Sequence, residues 1–476
     1  MRNNYRSYNC FQMKSLKYYY KLTISALKGD HKEFTSGSIN KAIFLLSVPM
    51  IAEMLMESLF AVVDVYFVSK VSVNAVATVG LTESVLMIMY SIAVGLTMAV
   101  TAIVARRVGE KKFRRAADGA FQAIALSAGL GIFLGAIGFY YAEDVLKLMG
   151  GKPELIAEGL GYTQVMYAGN ISILLLFLNN GIFRGAGDAS IAMRSLWIAN
   201  GLNIILDPIL IFGWGPIPAF GVMGAAIATT TGRSLGVLYQ FYHMMNGKSL
   251  IKIGYRNMVM RAKTVIEIMK VSFGGIWQFL IETASWIFLV RVMSLFGAEA
   301  LAGYTIAFRL IVFTLLPSWG MANAAATLVG QNLGAKEPER AETSVWKIAK
   351  YNTFFLLGVS IVFFIFAGPI LAFFTDEVNV AAIGKSALKI ICCGYIFFAY
   401  GMVLSQAFNG AGDTKTPMFI SLIVFWIIQI PLAYYLAVSL DWQGNGVFIS
   451  IAVAHSLYAI FSMIVFKRGK WKLVEV

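Results

Sequence analysis

The sequence predicts an all-α membrane protein, with twelve transmembrane helices in two six-helix lobes related by a pseudo-twofold axis along the membrane normal. Three observations predict it. Of the 476 residues, 58% are hydrophobic and 13% charged, and the mean hydropathy is +0.72, whereas a soluble domain carries roughly 45–50% apolar and about 25% charged residues. The chain offers about twelve apolar stretches parted by short polar breaks, each close to the ~20 residues that a helix needs to cross a bilayer with its backbone groups paired internally. And Phe183-Arg184-Gly185-Ala186-Gly187-Asp188 returns as Phe408-Asn409-Gly410-Ala411-Gly412-Asp413, an offset of 225 residues from Asp188 to Asp413.

The offset holds far outside that motif. Ser47 falls on Ser272, Glu57 on Glu282, Ala75 on Ala300, Gly95 on Gly320, Gly109 on Gly334, Lys111 on Lys336, Gly221 on Gly446 and Val222 on Val447. A unit this long exceeds the roughly 20–50 residues of a solenoid repeat, so each copy is a lobe with its own core. The apolar stretches centre near residues 55, 90, 130, 168, 202 and 232 in the first copy and 281, 315, 355, 393, 426 and 455 in the second. An even number per copy gives both copies the same orientation, unlike transporters built from inverted odd repeats.

Charge sets the orientation, because Lys and Arg gather in cytoplasmic loops. Arg2, Arg6, Lys14, Lys17, Lys21, Lys28, Lys32 and Lys41 open the chain, and alternate breaks then carry Arg106 to Arg115, Lys248 to Lys270, Lys336 to Lys350 and the tail from Lys467 to Lys472. The intervening breaks hold only Lys70, Lys147, Lys152, Lys385 and Lys389. Both termini are therefore expected in the cytoplasm, with the chain multi-pass in the cell membrane. The formal charge of +14 lies beside the spans without any nucleic-acid module, so no nucleic-acid partner is expected. The boundaries read as a basic cytoplasmic tail over residues 1–40, an N-lobe over 41–245, a cytoplasmic linker over 246–265, a C-lobe over 266–466 and a tail over 467–476.

No cleavable signal peptide is evident. Lys14 to Leu27, with Tyr18, Tyr19 and Tyr20, reads as an interfacial helix, as a disordered tail, or as an upstream extension if translation starts at Met13. Cys10, Cys392 and Cys393 offer neither zinc spacing nor a disulfide pair. Trp214-Gly215-Pro216-Ile217-Pro218 and Asp441-Trp442-Gln443-Gly444-Asn445-Gly446 occupy equivalent outer turns, where tryptophan suits the interface. In Gly-Ala-Gly-Asp the glycines allow a tight turn and Asp188 or Asp413 can cap the helix that follows; a gate closed by Arg184 is the functional alternative.

An acid inside a span is costly and marks a functional hypothesis. Glu53, Glu57 and Asp64 are spaced by four and seven residues, which puts them on one helical face turned toward the protein or an aqueous cavity. The fifth stretch reads Asn203-Ile204-Ile205-Leu206-Asp207-Pro208, with Asn203 one turn before Asp207. The repeat keeps Glu57 as Glu282 but turns Asp64 into Leu289, Asn203 into Ile428 and Asp207 into Leu432. The N-lobe is thus the candidate for a single coupling site. Carboxylates with amide and hydroxyl oxygens suit a hard cation such as Na⁺, and equally suit H⁺; pairing with a base, or capping of a broken helix, is the structural alternative. Arg233, Arg291 and Arg309 are the bases within spans, and Arg291 and Arg309 are placed to neutralise Glu282 or to meet an anionic substrate. Pro49, Pro208, Pro317 and Pro431 predict bends, and His455 reads as packing more readily than as a proton relay. No Walker motif, catalytic triad or metal-ligand cluster is present in the sequence, so no enzyme, no ATP-driven pump, no cofactor and no metal other than Na⁺ at the coupling site is expected.

Two six-helix lobes, Pro49 with Val63-Asp64 in the first helix, the doubled Gly-Ala-Gly-Asp turn and Asn203 with Asp207-Pro208 together resemble the multidrug and toxic compound extrusion (MATE) family, from about Ile39 to Phe466. The branch it resembles holds its cation site in the N-terminal lobe. That resemblance implies cation coupling at Asp64, Asn203 and Asp207, with a sixth-helix threonine taken as Thr229 among Thr229, Thr230 and Thr231, and a bend of the first helix at Pro49. A second branch has a seventh-helix glutamate, which matches Glu282, and a tenth-helix aspartate, for which Ile390-Ile391-Cys392-Cys393-Gly394 has no acid. Glu53, Glu57, Glu282 and Arg291 are then candidates for contact with substrate or protons. The resemblance implies a monomeric antiporter that exports small amphipathic, often cationic compounds in exchange for H⁺ or Na⁺ by alternating access. The alternative is a lipid-linked oligosaccharide flippase, whose cavity would be lined with cationic residues; Arg184, Arg233, Arg291 and Arg309 are its candidates.

Overall fold

The computed structural model describes residues 17–30, 33–246 and 249–476; Cys10, Met13 and the start of the Lys14 to Leu27 segment lie outside the described residues. A short helix, α1 (residues 17–28), leads into the N-lobe. That lobe runs α2 (Ile39–Ser69), α3 (Val73–Gly109), α4 (Phe113–Tyr140), the short α5 (Ala142–Leu148), α6 (Pro153–Ala168), α7 (Asn170–Ala186), α8 (Ala189–Phe212) and α9 (Val222–Met245). The C-lobe runs α10 (Ala262–Met293), α11 (Ala298–Gly334), α12 (Pro338–Ala372), α13 (Val378–Cys393), α14 (Tyr395–Ala411), α15 (Lys415–Ser421), α16 (Ile430–Tyr434) and α17 (Gln443–Lys467).

Nine helical runs among the described residues are long and apolar enough to cross a bilayer, and two bent helix pairs bring the number to eleven. The twelfth expected crossing is α9, 24 residues long. Its glycines seat it antiparallel on α8: a Cβ at Gly224, Gly232 or Gly236 would stand 2.4, 2.4 or 3.0 Å from the carbonyl oxygen of Leu210, Ala199 or Ser195. Thr229, Thr230, Thr231, Arg233 and Gln240 lower its hydropathy, so composition alone undercounts it.

Two spans are broken at glycines. α6 meets α7 at 41° and α13 meets α14 at 59°, at Gly169 and Gly394, which are again 225 residues apart. Gly169 is required there because a Cβ would sit 2.5 Å from Thr230 Oγ1 of α9. Helix α2 runs unbroken through Pro49. Pro431 lies between two π-helical runs, Leu422–Gln429 and Tyr435–Ser439, whose wider turns accommodate the missing N–H.

The lobes meet through glycines that the duplication placed in register. A Cβ on Gly109 would lie 1.9 Å from the Gln331 carbonyl oxygen, and one on Gly334 would lie 2.1 Å from that of Arg106. Gln331 is the repeat mate of Arg106, so the same crossing of α3 with α11 is made twice. Gly95 on α10 at Ile276 and Gly320 on α2 at Ile51 form a second such pair. Inside a bilayer apolar burial adds little, and close backbone approach through small residues supplies the association.

The Gly-Ala-Gly-Asp turns follow the same rule. Gly187 and Gly412 adopt φ +86° and +90°, the left-handed cap that glycine adopts without penalty. Gly185 and Gly410 approach Thr101 and Ala326 so closely that a Cβ would lie 2.7 and 2.3 Å from their carbonyl oxygens. Asp413 caps as expected, accepting from Thr416 N at 3.2 Å. Asp188 does not cap α8; it accepts from Ser249 Oγ at 2.7 Å and Leu250 N at 3.1 Å, tying the linker to the N-lobe. Asp118 of α4 holds the same linker through Asn257 Nδ2 at 2.7 Å and Arg261 at 3.1 Å.

Candidate functional site

The acidic stripe of α2 faces inward. Glu53, Glu57 and Asp64 all line a cavity of about 450 Å³ between the lobes, as their spacing on one helical face requires. α2 itself straddles the lobes: Leu45, Leu46 and Met50 share an apolar cluster with Leu328, Val345 and Leu404 of the C-lobe, while Val68 packs with Ala75 and Tyr162 of the N-lobe. The stripe thus sits where one helix passes from one lobe to the other.

At the outer half of that stripe, α8 and α9 bring three predicted residues together. Asn203 Nδ2 donates to Thr229 Oγ1 at 2.9 Å and to Asp207 Oδ1 at 3.3 Å. Asn203 and Asp207 are 2% and 0% exposed, behind the cavity wall, and Thr229 reaches the cavity. Asn203 Oδ1 and Asp207 Oδ2 are buried without a hydrogen-bond partner. Asp64 lines the same cavity as Thr229, and among the described residues no hydrogen bond joins it to the cluster. Two orphaned oxygens beside a hydroxyl and a second carboxyl are the donor set of a hard cation or a bound proton. Of the three threonines only Thr229 lines the cavity; Thr230 packs on Gly169 and Thr231 is exposed.

Glu53 and Glu57 are held from α7 and α8. Asn180 Nδ2 donates to Glu53 Oε1 at 3.0 Å, and Asn180 Oδ1 accepts from Gln240 Nε2 at 2.6 Å and Ser195 Oγ at 3.1 Å. Glu57 Oε2 accepts from Asn200 Nδ2 at 2.8 Å. Arg233 lies over the rings of Phe60 and Tyr90 at 5.8 and 5.9 Å and donates to Tyr90 Oη at 2.9 Å. Arg184 lines the cavity floor.

Glu83 of α3 also lines the cavity and escaped the sequence reading, although an acid within an apolar run is the signal that picked out Asp64. Asn180, Gln240 and Tyr90 were missed for a different reason: uncharged polar residues in a span carry no comparable flag.

Glu282 lies in a second cavity of about 220 Å³ within the C-lobe. It accepts from Gln278 Nε2 at 3.1 Å and Ser421 Oγ at 2.8 Å. The expected pairing with Arg291 or Arg309 is not made, because both arginines are exposed and Arg291 lies nine residues further along α10, more than two turns away. His455 stacks flat on Phe398, with centroids 3.8 Å apart and planes at 4°, in keeping with packing. Cys392 is buried and Cys393 exposed, both free.

At the end of the bundle that carries the basic loops, Thr327 Oγ1 donates to the Arg184 carbonyl and Gln331 Nε2 to that of Gly185, each at 3.0 Å. Arg106 donates to the Val474 carbonyl. Among the described residues every hydrogen bond between the lobes lies at this basic end. These hydrogen bonds join the two lobes across that end of the cavity.

Two six-helix lobes around a central cavity, hydrogen-bonded to each other across one end, define a multi-pass membrane transporter. The MatE family model matches residues 49–209 and 276–435, once in each lobe. The chain belongs to that family. It is 25% identical over 445 residues to the probable multidrug resistance protein NorM of Thermotoga maritima, covering 91% of this chain and 93% of that protein. It is 24% identical over 448 residues to the probable multidrug resistance protein YpnP of Bacillus subtilis, covering 93% and 98%. A solved structure of a multidrug resistance MATE family transporter of the MOP superfamily, in an outward-facing conformation, superposes with TM-score 0.87 at 27% identity, covering 93% of this chain and 99% of that one.

Proposed function

We propose that this chain is a cation-coupled antiporter that exports amphipathic, often cationic compounds from the cytoplasm, with Asp64, Asn203, Asp207 and Thr229 as its coupling site. The observation that carries the reading is the pair of orphaned buried oxygens, Asn203 Oδ1 and Asp207 Oδ2, beside Asp64. This is the N-lobe branch of the family. The basic end is cytoplasmic, both termini lie there, and the protein sits in the cell membrane as a monomer, since cavity and cluster are complete within one chain. The state described is then outward-facing.

The cavity supports the substrate class. Met54, Met87, Met98, Phe60, Phe177 and Trp319 offer an adaptable apolar wall, and four carboxyls, Glu53, Glu57, Asp64 and Glu83, face two guanidinium groups, Arg184 and Arg233, a balance that favours a cation. The same balance disfavours a flippase for a pyrophosphate-linked lipid. Loading by Na⁺ or H⁺ neutralises Asp64 and Asp207 and changes the packing of α2 against α8, which releases substrate outward. Glu282 and its neutral donors form an accessory group without a partner acid in the C-lobe.

The test is transport in proteoliposomes loaded with a fluorescent cationic dye under separate Na⁺ and pH gradients. Wild type is expected to move dye against one gradient, and Asp64→Asn and Asp207→Asn to lose at least about tenfold of that rate, as removal of a required ion ligand does. Dye movement indifferent to both substitutions would remove the N-lobe site and leave Glu282 as the coupling group.

A further inference from the structure

The chain's first described segment is built across the hydrogen-bonded end of the cavity. Leu22 and Ala26 of α1 are 8% and 3% exposed, in one cluster with Leu46 of α2, Leu333 of α11 and Phe466 of α17. Gly29, with φ +74°, rests on α8, where a Cβ would lie 2.2 Å from Ser190 Oγ. Phe34 is 2% exposed and packs against the Gly187 turn, 2.7 Å from where a Cβ would stand. From the other lobe, Arg340 of α12 donates to the carbonyls of Phe34, Ser36 and Gly37 at 3.3, 2.9 and 2.9 Å. One segment is therefore held by the N-lobe at Ser190 and Gly187 and by the C-lobe at Arg340.

The remaining surface of α1 is largely exposed among the described residues. Tyr18, Tyr19 and Tyr20 are 55, 54 and 67% exposed, flanked by exposed Lys17 and Lys21. The Tyr19 ring lies 6.1 Å from that of Phe44, in the second turn of the spanning helix α2. That contact fixes the depth of α1 at the edge of the span, where tyrosine rings suit the head-group layer and lysines suit anionic lipid.

We propose that residues 17–30 and 33–37 form a strap that docks on the anionic inner leaflet and locks the basic end of the two lobes closed. The strap rests on the cytoplasmic orientation proposed above. Inward opening separates α3 from α11 and α2 from α11, and a segment gripped by α8 and by α12 must release one of them first. Arg340 is the releasable grip, because its contacts are three carbonyl oxygens in and beside the bend that precedes α2.

The test is a distance measurement between spin labels at Arg114→Cys and Glu339→Cys, exposed repeat mates at the basic end, in full-length protein with its three native cysteines replaced by serine. Nanodiscs of phosphatidylglycerol with phosphatidylcholine are compared with phosphatidylcholine alone. Wild type in the anionic discs is expected to show mainly the short, closed distance. Arg340→Ala should raise the ratio of open to closed by about tenfold or more, as the loss of charge-assisted hydrogen bonds implies, and Phe34→Ala should move it the same way. Neutral discs, or Lys17→Gln with Lys21→Gln, should raise it by up to about thirtyfold, given ~1 kcal/mol for each of the two basic residues at an anionic surface. If Arg340→Ala and Phe34→Ala both retained the wild-type distribution, the strap would be wrong. If they opened the protein while lipid charge and the lysine changes had no effect, the leaflet would not be its partner. The distances are read without substrate or ion gradient, so failure of the antiport reading leaves this result intact.

Discussion

The two lobes descend from one unit and still share their helix crossings, yet they have diverged in what they bury. Where the N-lobe has Asp64, Asn203, Asp207 and Thr229, the C-lobe has Leu289, Ile428, Leu432 and Ala454, and Leu289 is 0% exposed in the apolar core. Where the N-lobe pairs Asn180 with Glu53, the C-lobe pairs the mates Ser405 and Gln278, with Gln278 Nε2 donating to Ser405 Oγ at 2.9 Å. The contacts that hold helices together were kept in both copies, whereas Asp64 and Asp207 were kept in one, and of the acidic stripe only Glu57 has a C-lobe mate, Glu282. A scaffold is satisfied by backbone proximity, which glycine supplies in either lobe, whereas a carboxyl in a span is retained only where something binds it.

Exchanging residues across the repeat gives the largest expected effect. Leu289→Asp puts an unpartnered carboxyl into the C-lobe core and should cost about 2–5 kcal/mol, read as a lower melting temperature in detergent, with no gain of a second coupling ion. A C-lobe that accepted Asp without loss of stability would break the contrast between the lobes.

The shared scaffold should respond symmetrically. Gly109→Ala and Gly334→Ala each drive a Cβ into a carbonyl of the other lobe, at 1.9 and 2.1 Å, and each should cost about 1–3 kcal/mol as overpacking. Unequal costs in thermal unfolding would mean that the two crossings are not equivalent.

Two smaller effects lie in the turns beside those crossings. Lys111 and Lys336, also repeat mates, adopt φ +58° and +64°, so Lys111→Gly and Lys336→Gly should each stabilise by about 1 kcal/mol through relief of left-handed strain. The neighbouring Glu110 has no counterpart, its mate being Ala335. Partial burial would raise the Glu110 carboxyl, but hydrogen bonds from Lys112 and Arg107, with ion pairs of 2.9 and 3.2 Å, hold it below its usual range. A depressed carboxyl contributes above its unfolded pKa and loses that contribution as pH falls through the folded value. Screening by solvent keeps it under about 1 kcal/mol. Glu110→Gln should therefore flatten a small loss of melting temperature below about pH 4, where an unfolded glutamate protonates; an unchanged acid slope would mean that these ion pairs contribute nothing.

The helical class, the duplication and the acidic stripe were all legible in the residues, because apolar length, an offset of 225 and the spacing of Glu53, Glu57 and Asp64 are properties of the chain itself. So were Asn203 and Asp207, one turn apart. What they face was not legible: that Thr229, 22 residues beyond Asp207, rather than Thr230 completes the cluster is decided by how α9 seats its glycines on α8. The breaks at Gly169 and Gly394 were not legible either: the sequence flags a proline, whereas the need for glycine at 169 shows only in how close Thr230 of another helix stands. The strap, too, exists only in three dimensions, since the donors of Arg340 meet the carbonyls of Phe34, Ser36 and Gly37 across some 300 residues of chain. Hydrophobic period and charge are written residue by residue, so the sequence alone determined them; which oxygen is left without a partner depends on contacts between helices distant in the chain, and only the tertiary structure decided that.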